Sequence, residues 1–198
     1  VDGLFTSFRS GPVEVFLLDA RWFAKTEPSR DDPTKPTLLG EMQWKWVEET
    51  LRASTAPVKV FASGMVWNSR VRSLKPDYWG AYPHEFMRFQ RLIRETKATG
   101  VVLVSGDVHR SRVVVHPTKD VVGYDLVEFV TSPLHARVHE DAAVTGPEVV
   151  FDAGIPNAFL LLDARETVSA SSVTARFVAS DGRVFHERTI DLKTLAQP

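Results

Sequence analysis

Residues 101–104, Val-Val-Leu-Val, form an apolar run without polar interruption, followed at once by Ser105-Gly106-Asp107-Val108-His109. A short stretch of β-branched and aliphatic residues suits a strand buried on both faces of a sheet, so the fold must supply a layer on each side of it. Gly106 permits a sharp turn that a Cβ would oppose. The turn delivers Asp107 and His109 just past the carboxyl end of the strand, where α/β sheets place their ligands. A carboxylate and an imidazole two residues apart can bind a metal ion together, or one can orient the other for proton transfer. An isolated Gly-Asp-x-His equally fits a strand end closed by an Asp turn with a surface histidine beside it. The surrounding chain has to decide between these.

Two upstream segments repeat the pattern. A strand-like stretch at 5–8 passes through a Gly11-Pro12 turn into Val13-Glu-Val-Phe-Leu-Leu18, which ends in Asp19-Ala-Arg21. Pro57 opens a further strand at 58–62 that stops at Ser63-Gly64. Between them, residues 25–37 read as a loop rich in proline. Residues 38–53 carry Leu39, Met42, Trp46, Val47 and Leu51 at helical spacing, with Glu48 and Glu49 opposite. Trp44 and Trp46 are read as packing residues, the usual use of aromatics on such a helix. Pro83 fits the first turn of a second helix whose stripe is Phe86, Phe89, Leu92 and Ile93, with an exit marked by Lys97 and Gly100. Strand, helix, strand, helix, strand predicts an α/β sheet with crossover helices, in which the loops after successive strands gather at one edge. The loop at 65–82 contributes Trp67, Asn68, Arg70, Arg72, Asp77 and Tyr78 to that edge.

After His109 the character changes. Residues 113–116, 124–131, 157–163, 168–179 and 183–191 read as antiparallel strands, with Asp181-Gly182 a hairpin turn between the last two. Residues 132–156 form a long irregular stretch carrying His135, Arg137 and His139, of a length that is usually functional or a surface excursion.

Composition narrows the chemistry. With 198 residues and 43% hydrophobic content, the chain can bury a core as one domain or as part of a larger one. The 24 basic and 25 acidic residues nearly cancel, so no bulk attraction to nucleic acid or an anionic membrane is expected, and any anion must be bound locally. The absence of cysteine excludes disulfides and thiolate metal sites within these residues. No apolar run reaches the roughly 18 residues of a membrane span. The chain opens with Val rather than Met, and a fragment or processed product is expected. No Gly-x-Ser-x-Gly nucleophile elbow occurs, and neither Gly-rich phosphate loop is present. What remains is Asp19, Arg21, Asp107, His109 and with them His135 near the strand ends, a mixture suited to hard or borderline metals plus an oxyanion. The arginine could bind phosphate oxygens bidentately while a metal activates water. Asp19 and Arg21 also fit a structural ion pair, His116 and His186 read as ordinary strand residues, and His84 as a surface residue at a helix start.

Five ordered stretches carry a family resemblance: Gly11-Pro-Val-Glu-Val-Phe-Leu-Leu-Asp-Ala-Arg21, Leu39-Gly-Glu-Met-Gln-Trp44, Asp77-Tyr-Trp-Gly-Ala-Tyr-Pro83, Val102-Leu-Val-Ser-Gly-Asp-Val-His109 and Glu128-Phe-Val-Thr-Ser132. In that order and at those separations, over about residues 5–135, the chain resembles the PhoD-like alkaline phosphatases. The resemblance implies the calcineurin-like metallophosphoesterase architecture, an α/β sandwich of two mixed β-sheets flanked by helices. It implies metal-dependent hydrolysis of phosphomonoesters or phosphodiesters, with iron and calcium as the metal ions. Asp107 and His109 inherit the metal-ligand role of the Gly-Asp-x-His stretch. Asp19, Arg21 and His109 are the catalytic candidates, the first two as supporting or phosphate-side groups. Family members carry further metal-binding motifs upstream, an early Gly-Asp and an Asp-Asp-His-Asp type segment, and Asp31-Asp32 is here followed by Pro33-Thr34. The chain is therefore expected to be the carboxyl-terminal half of a larger phosphatase domain, with a missing amino-terminal half as its partner and a periplasmic or extracellular location. The rival expectations are an inert half or pseudoenzyme binding a partner or polyanion, and a haloperoxidase-like or other hydrolase on the same scaffold.

Overall fold

The computed structural model describes residues 3–69, 76–166 and 171–198. Ten strands and two long helices follow the alternation read from the sequence. The strands are β1 (Thr6–Ser10), β2 (Val13–Leu18), β3 (Val58–Ser63), β4 (Val101–Ser105), β5 (Ser111–His116), β6 (Leu126–Val130), β7 (Val149–Ala153), β8 (Ala158–Glu166), β9 (Ser171–Ala179) and β10 (Val184–Asp191). Helix α1 is Gly40–Ala53, α2 is Pro83–Thr96, and a single turn α3 is Lys119–Val122.

The first seven strands make one mixed sheet in the order β1-β2-β3-β4-β6-β5-β7, in which β2, β3, β4 and β6 run parallel. The last three make an antiparallel sheet, β10-β9-β8. The α/β architecture with two sheets is as expected; the second sheet is purely antiparallel, because the Asp181-Gly182 turn and the β8–β9 connection join neighbours directly. Gly182 takes φ +83°, the left-handed position that closes the three-residue hairpin loop Ser180-Asp181-Gly182 between Ala179 and Arg183.

Register explains which residues face which layer. Phe16, Phe61 and Leu103 lie in one row across β2, β3 and β4. Phe16 stacks on Phe61 at 4.3 Å, and Phe61 meets Phe89 of α2 edge-on at 4.8 Å, so this face packs under the helices. The opposite face of β6, β5 and β7 presents Phe129, Val113 and Phe151, which meet Phe177 of the second sheet. The strand Val101–Ser105 thus sits at the centre of the sheet with Val101, Val102 and Leu103 fully buried. Toward β1 the non-helical face is open: Phe8 is 52% and Leu17 38% exposed.

Two expectations change. Helix α1 buries Gln43, Trp44, Val47 and Leu51, while Met42 is half exposed. The helix is rotated because Gln43 is drawn inward: its Oε1 accepts from the Asp19 amide at 2.9 Å and its Nε2 donates to the Asp19 carbonyl at 2.8 Å. A buried amide with both functions satisfied outranks the apolar preference of one methionine. The stretch at 132–156 is not irregular throughout, since β7 pairs with β5 inside it. Alternation there is weak, Val149-Val-Phe-Asp-Ala, and the strand is held by Asp152 reaching two arginines of its neighbour. The expected strand start at 168 and the loop arginines Arg70 and Arg72 lie outside the described residues.

Candidate functional site

The parallel strands β2, β3 and β4 end at one edge, and the tight segment after β4 sits at its centre. Asp107 has φ +72° and His109 φ +56°, two non-glycine residues in the left-handed region within three positions. Each costs on the order of 1 kcal/mol, and such strain persists only when the surroundings enforce it. Val108 enforces it. Its side chain is buried against Val66 and Val130, with Tyr78 packed on the cluster, and its amide donates to the Gly106 carbonyl at 2.9 Å. Val108 therefore turns in, and Asp107 and His109 on either side turn out.

Below this turn lies a fully buried carboxylate. Glu128 of β6 accepts from the backbone amides of Trp67 (2.9 Å) and Asn68 (3.1 Å), from the Asn68 side chain (2.9 Å), from Ser105 Oγ and from His116 Nε2 (2.9 Å). Burial alone would raise its pKa. The His116 contact and the hydroxyl and amide donors outweigh that, and the carboxyl is held below its ordinary value. Glu128 ties the loop after β3 to the end of β4. His116, read as an ordinary strand residue, is its buried partner. A charged residue in the run Leu126-Val-Glu-Phe-Val130 was the available signal.

Arg21 reaches across the edge. Its guanidinium lies 3.0 Å from the Asp77 carboxylate and 3.9 Å from that of Asp107. The Asp19 carboxylate instead accepts from the amides of Leu4 (3.0 Å), Arg21 (3.0 Å) and Trp22 (2.9 Å). Partial burial pushes the Asp19 carboxyl up, and the three amides together bring it below its ordinary value. Asp19 closes the turn that aims Arg21, and Gln43 of α1 holds that turn through its backbone.

His109 stands in a cluster. Its ring lies 4.7 Å from that of His135 and 4.5 Å from that of His139, and its Nδ1 is buried without a hydrogen-bond partner. Burial, then the neighbouring His139 and His135, lower its pKa and favour the neutral ring. The histidine-bearing segment is clamped from beneath: Arg112, fully buried, donates to Asp152 at 2.6 Å and to the Ala142 carbonyl at 2.7 Å, and Arg110 bonds to Asp152 and, at 3.1 Å, to Glu140. His139 and Asp77 were not among the sequence candidates. Only the spacing His135-x-x-x-His139 in a long connection pointed toward the first.

The Asp107 carboxylate and the unpartnered nitrogen of a neutral His109 are donors that hard and borderline cations accept. Among the described residues, no group of three or more His, Cys, Asp or Glu is arranged to hold a metal ion. The turn fits one side of a metal centre and is not a complete one.

With this geometry in hand, comparison with known proteins is decisive for the family. Residues 2–177 match the PhoD-like phosphatase family. The chain belongs to that family. It is 30% identical over 126 residues to alkaline phosphatase D of Bacillus subtilis (strain 168), covering 54% of this chain and 21% of that protein. A solved structure titled "Structure of PhoD" superposes with a TM-score of 0.65 at 19% identity, covering 95% of this chain and 40% of the other, which establishes the common fold. The chain thus spans about a fifth of the curated relative and less than half of the solved one. No helix among the described residues is long and apolar enough to cross a membrane.

Proposed function

We propose that the protein carrying this chain is a metal-dependent phosphoesterase, hydrolysing phosphomonoesters or phosphodiesters, and that the turn Gly106–His109 is one arm of its catalytic centre. The observation that carries the reading is the Asp-Val-His turn itself: two potential donors forced outward in strained conformations, one with a buried and unpartnered nitrogen, in a chain of the PhoD-like family. Asp107 and His109 would hold the metal, with further ligands from elsewhere in the protein. When bound, it would polarise a phosphoryl oxygen and lower the pKa of a water molecule; iron and calcium are the ions the family resemblance implies.

The chain's own residues do the rest. Arg21 binds phosphoryl oxygens as a bidentate donor, and its contacts with Asp77 and Asp107 keep it poised at the edge. Asp19 acts as a positioning residue, fixing the turn from which Arg21 projects. Burial and the neighbouring histidines lower the His109 pKa and favour the neutral ring, whose unpartnered Nδ1 is a donor atom. The exposed apolar face around Phe8 and Leu17 suits the remaining part of the same polypeptide, consistent with the chain's 40% share of the solved relative. We place the protein outside the cytoplasm, as the family resemblance implies.

The test is metal content and p-nitrophenyl phosphate turnover of the full-length protein and of its Asp107→Ala and His109→Ala variants. Loss of both metal and turnover in either variant supports the assignment. Unchanged turnover in both would sink it, leaving the chain as a partner- or polyanion-binding scaffold. A panel of non-phosphate substrates separates another hydrolytic chemistry on the same fold.

A further inference from the structure

A second polar feature lies at the other end of the sandwich, between the two sheets. Arg188 on β10 lies on the same strand face as Ile190, whose partner Val173 is in the core. Its Nε is buried and has no hydrogen-bond partner, and among the described residues the guanidinium has no ion-pair partner. An unsatisfied buried donor on a permanent cation is costly and is stabilised by an acceptor. Arg188 lines a cavity of about 530 Å³. Val115, Val127 and Ile190 form apolar wall, and Lys119 and Lys193 add two more cations. Asp125 also lines it, its Oδ1 accepting from the Lys119 amide at 3.0 Å, and the segment from Lys193 to Pro198 forms one side. The cavity therefore combines an apolar wall with a cationic end, where a half-buried arginine keeps a buried, unpartnered Nε. Its volume falls within the usual range of small-molecule pockets, about 300–1,000 Å³, and exceeds what a bare inorganic ion would fill.

We propose that this inter-sheet cavity binds a small organic anion, an apolar body against Val115, Val127 and Ile190 with its oxyanion head on Arg188. The head is a phosphate-like or carboxylate group, since a guanidinium fork matches both. The site is separate from the Asp107 turn and does not depend on the phosphoesterase reading.

The test is calorimetric titration of the full-length protein carrying Asp107→Ala and His109→Ala, so that the candidate catalytic edge is silent. Phenylphosphonate, benzoate and inorganic phosphate are the probes. Saturable binding of phenylphosphonate or benzoate is expected, with inorganic phosphate weaker, and the tighter of the first two identifies the head group. Arg188→Met should weaken that binding at least about tenfold, the scale of a charged hydrogen bond. If Arg188→Met fails to fold, Lys119→Ala/Lys193→Ala in its place should weaken binding by about threefold, as mouth charges do. Equal affinity in the parent and the variant, or no saturable binding up to about 10 mM, overturns the proposal.

Discussion

The floor and the rim of the candidate site are built on opposite principles although Ser105, a donor to the floor, stands just before Asp107 of the rim in the chain. The floor is Glu128, fully buried with five donors on its two oxygens, joining β4, β5, β6 and the loop after β3. The rim is Asp107, His109 and Arg21, with two strained backbones, an unpartnered imidazole nitrogen and a guanidinium shared loosely between carboxylates. Satisfied groups in a low-dielectric interior are rigid and stabilising, whereas unsatisfied or strained ones are retained where they serve a ligand. The contrast teaches that stability and chemistry are carried here by different side chains, so mutations should divide cleanly between the two.

The largest effect is expected at the rim. Asp107→Ala or His109→Ala should lower kcat/KM by at least about 100-fold, the scale of lost donor or proton-transfer groups. Chemical denaturation should move by less than about 1 kcal/mol, because neither residue packs in the core. A large stability loss in both would break the comparison. Next comes the floor: Glu128→Gln should cost about 3 kcal/mol, since the amide NH2 it introduces faces buried donors that had a carboxylate oxygen as acceptor.

The same floor predicts a pH dependence. The Glu128 carboxyl is held below its ordinary value of 4.5, so the unfolded chain binds its proton more readily. The stability it contributes is present above about pH 4.5 and is lost as pH falls through the lower native value. Urea midpoints measured from pH 7 downward should fall more steeply in the parent than in Glu128→Gln, and parallel curves would remove Glu128 as the cause. A smaller effect is expected for Arg21→Lys, about tenfold in KM with kcat nearly kept, because a point charge cannot reproduce the planar fork. The smallest change expected is in the stability of Asp107→Gly, which loses turnover as Asp107→Ala does but relieves the left-handed strain and should be more stable than the parent by about 1 kcal/mol.

Much of this was readable along the chain because it is local. The parallel strands are short apolar runs, α2 carries a continuous apolar stripe, and Gly106 with Asp107 marks a turn after a buried strand; each signal lies within a few residues. The Gln43–Asp19 contact was not readable, since it joins a helix to a strand end 24 positions away and rotates α1 against its apolar pattern. Strand β7 was hidden for a related reason: Asp152 holds it to arginines 40 and 42 residues earlier, and its own sequence alternates poorly.

The sequence by itself determined the α/β alternation, the edge at which the strands end and the presence there of Asp107, His109 and Arg21, because periodicity and turn chemistry are properties of neighbouring residues. Only the tertiary structure decided that Asp19 serves a turn while Arg21 spans to Asp77 and Asp107, and that His135 and His139 close on His109. It also decided that Glu128 and His116 form the buried floor beneath them. These pairings join segments far apart in the chain. Whether a polar side chain is satisfied, strained or left open depends on which distant donors the packing brings to it, and no local pattern encodes that.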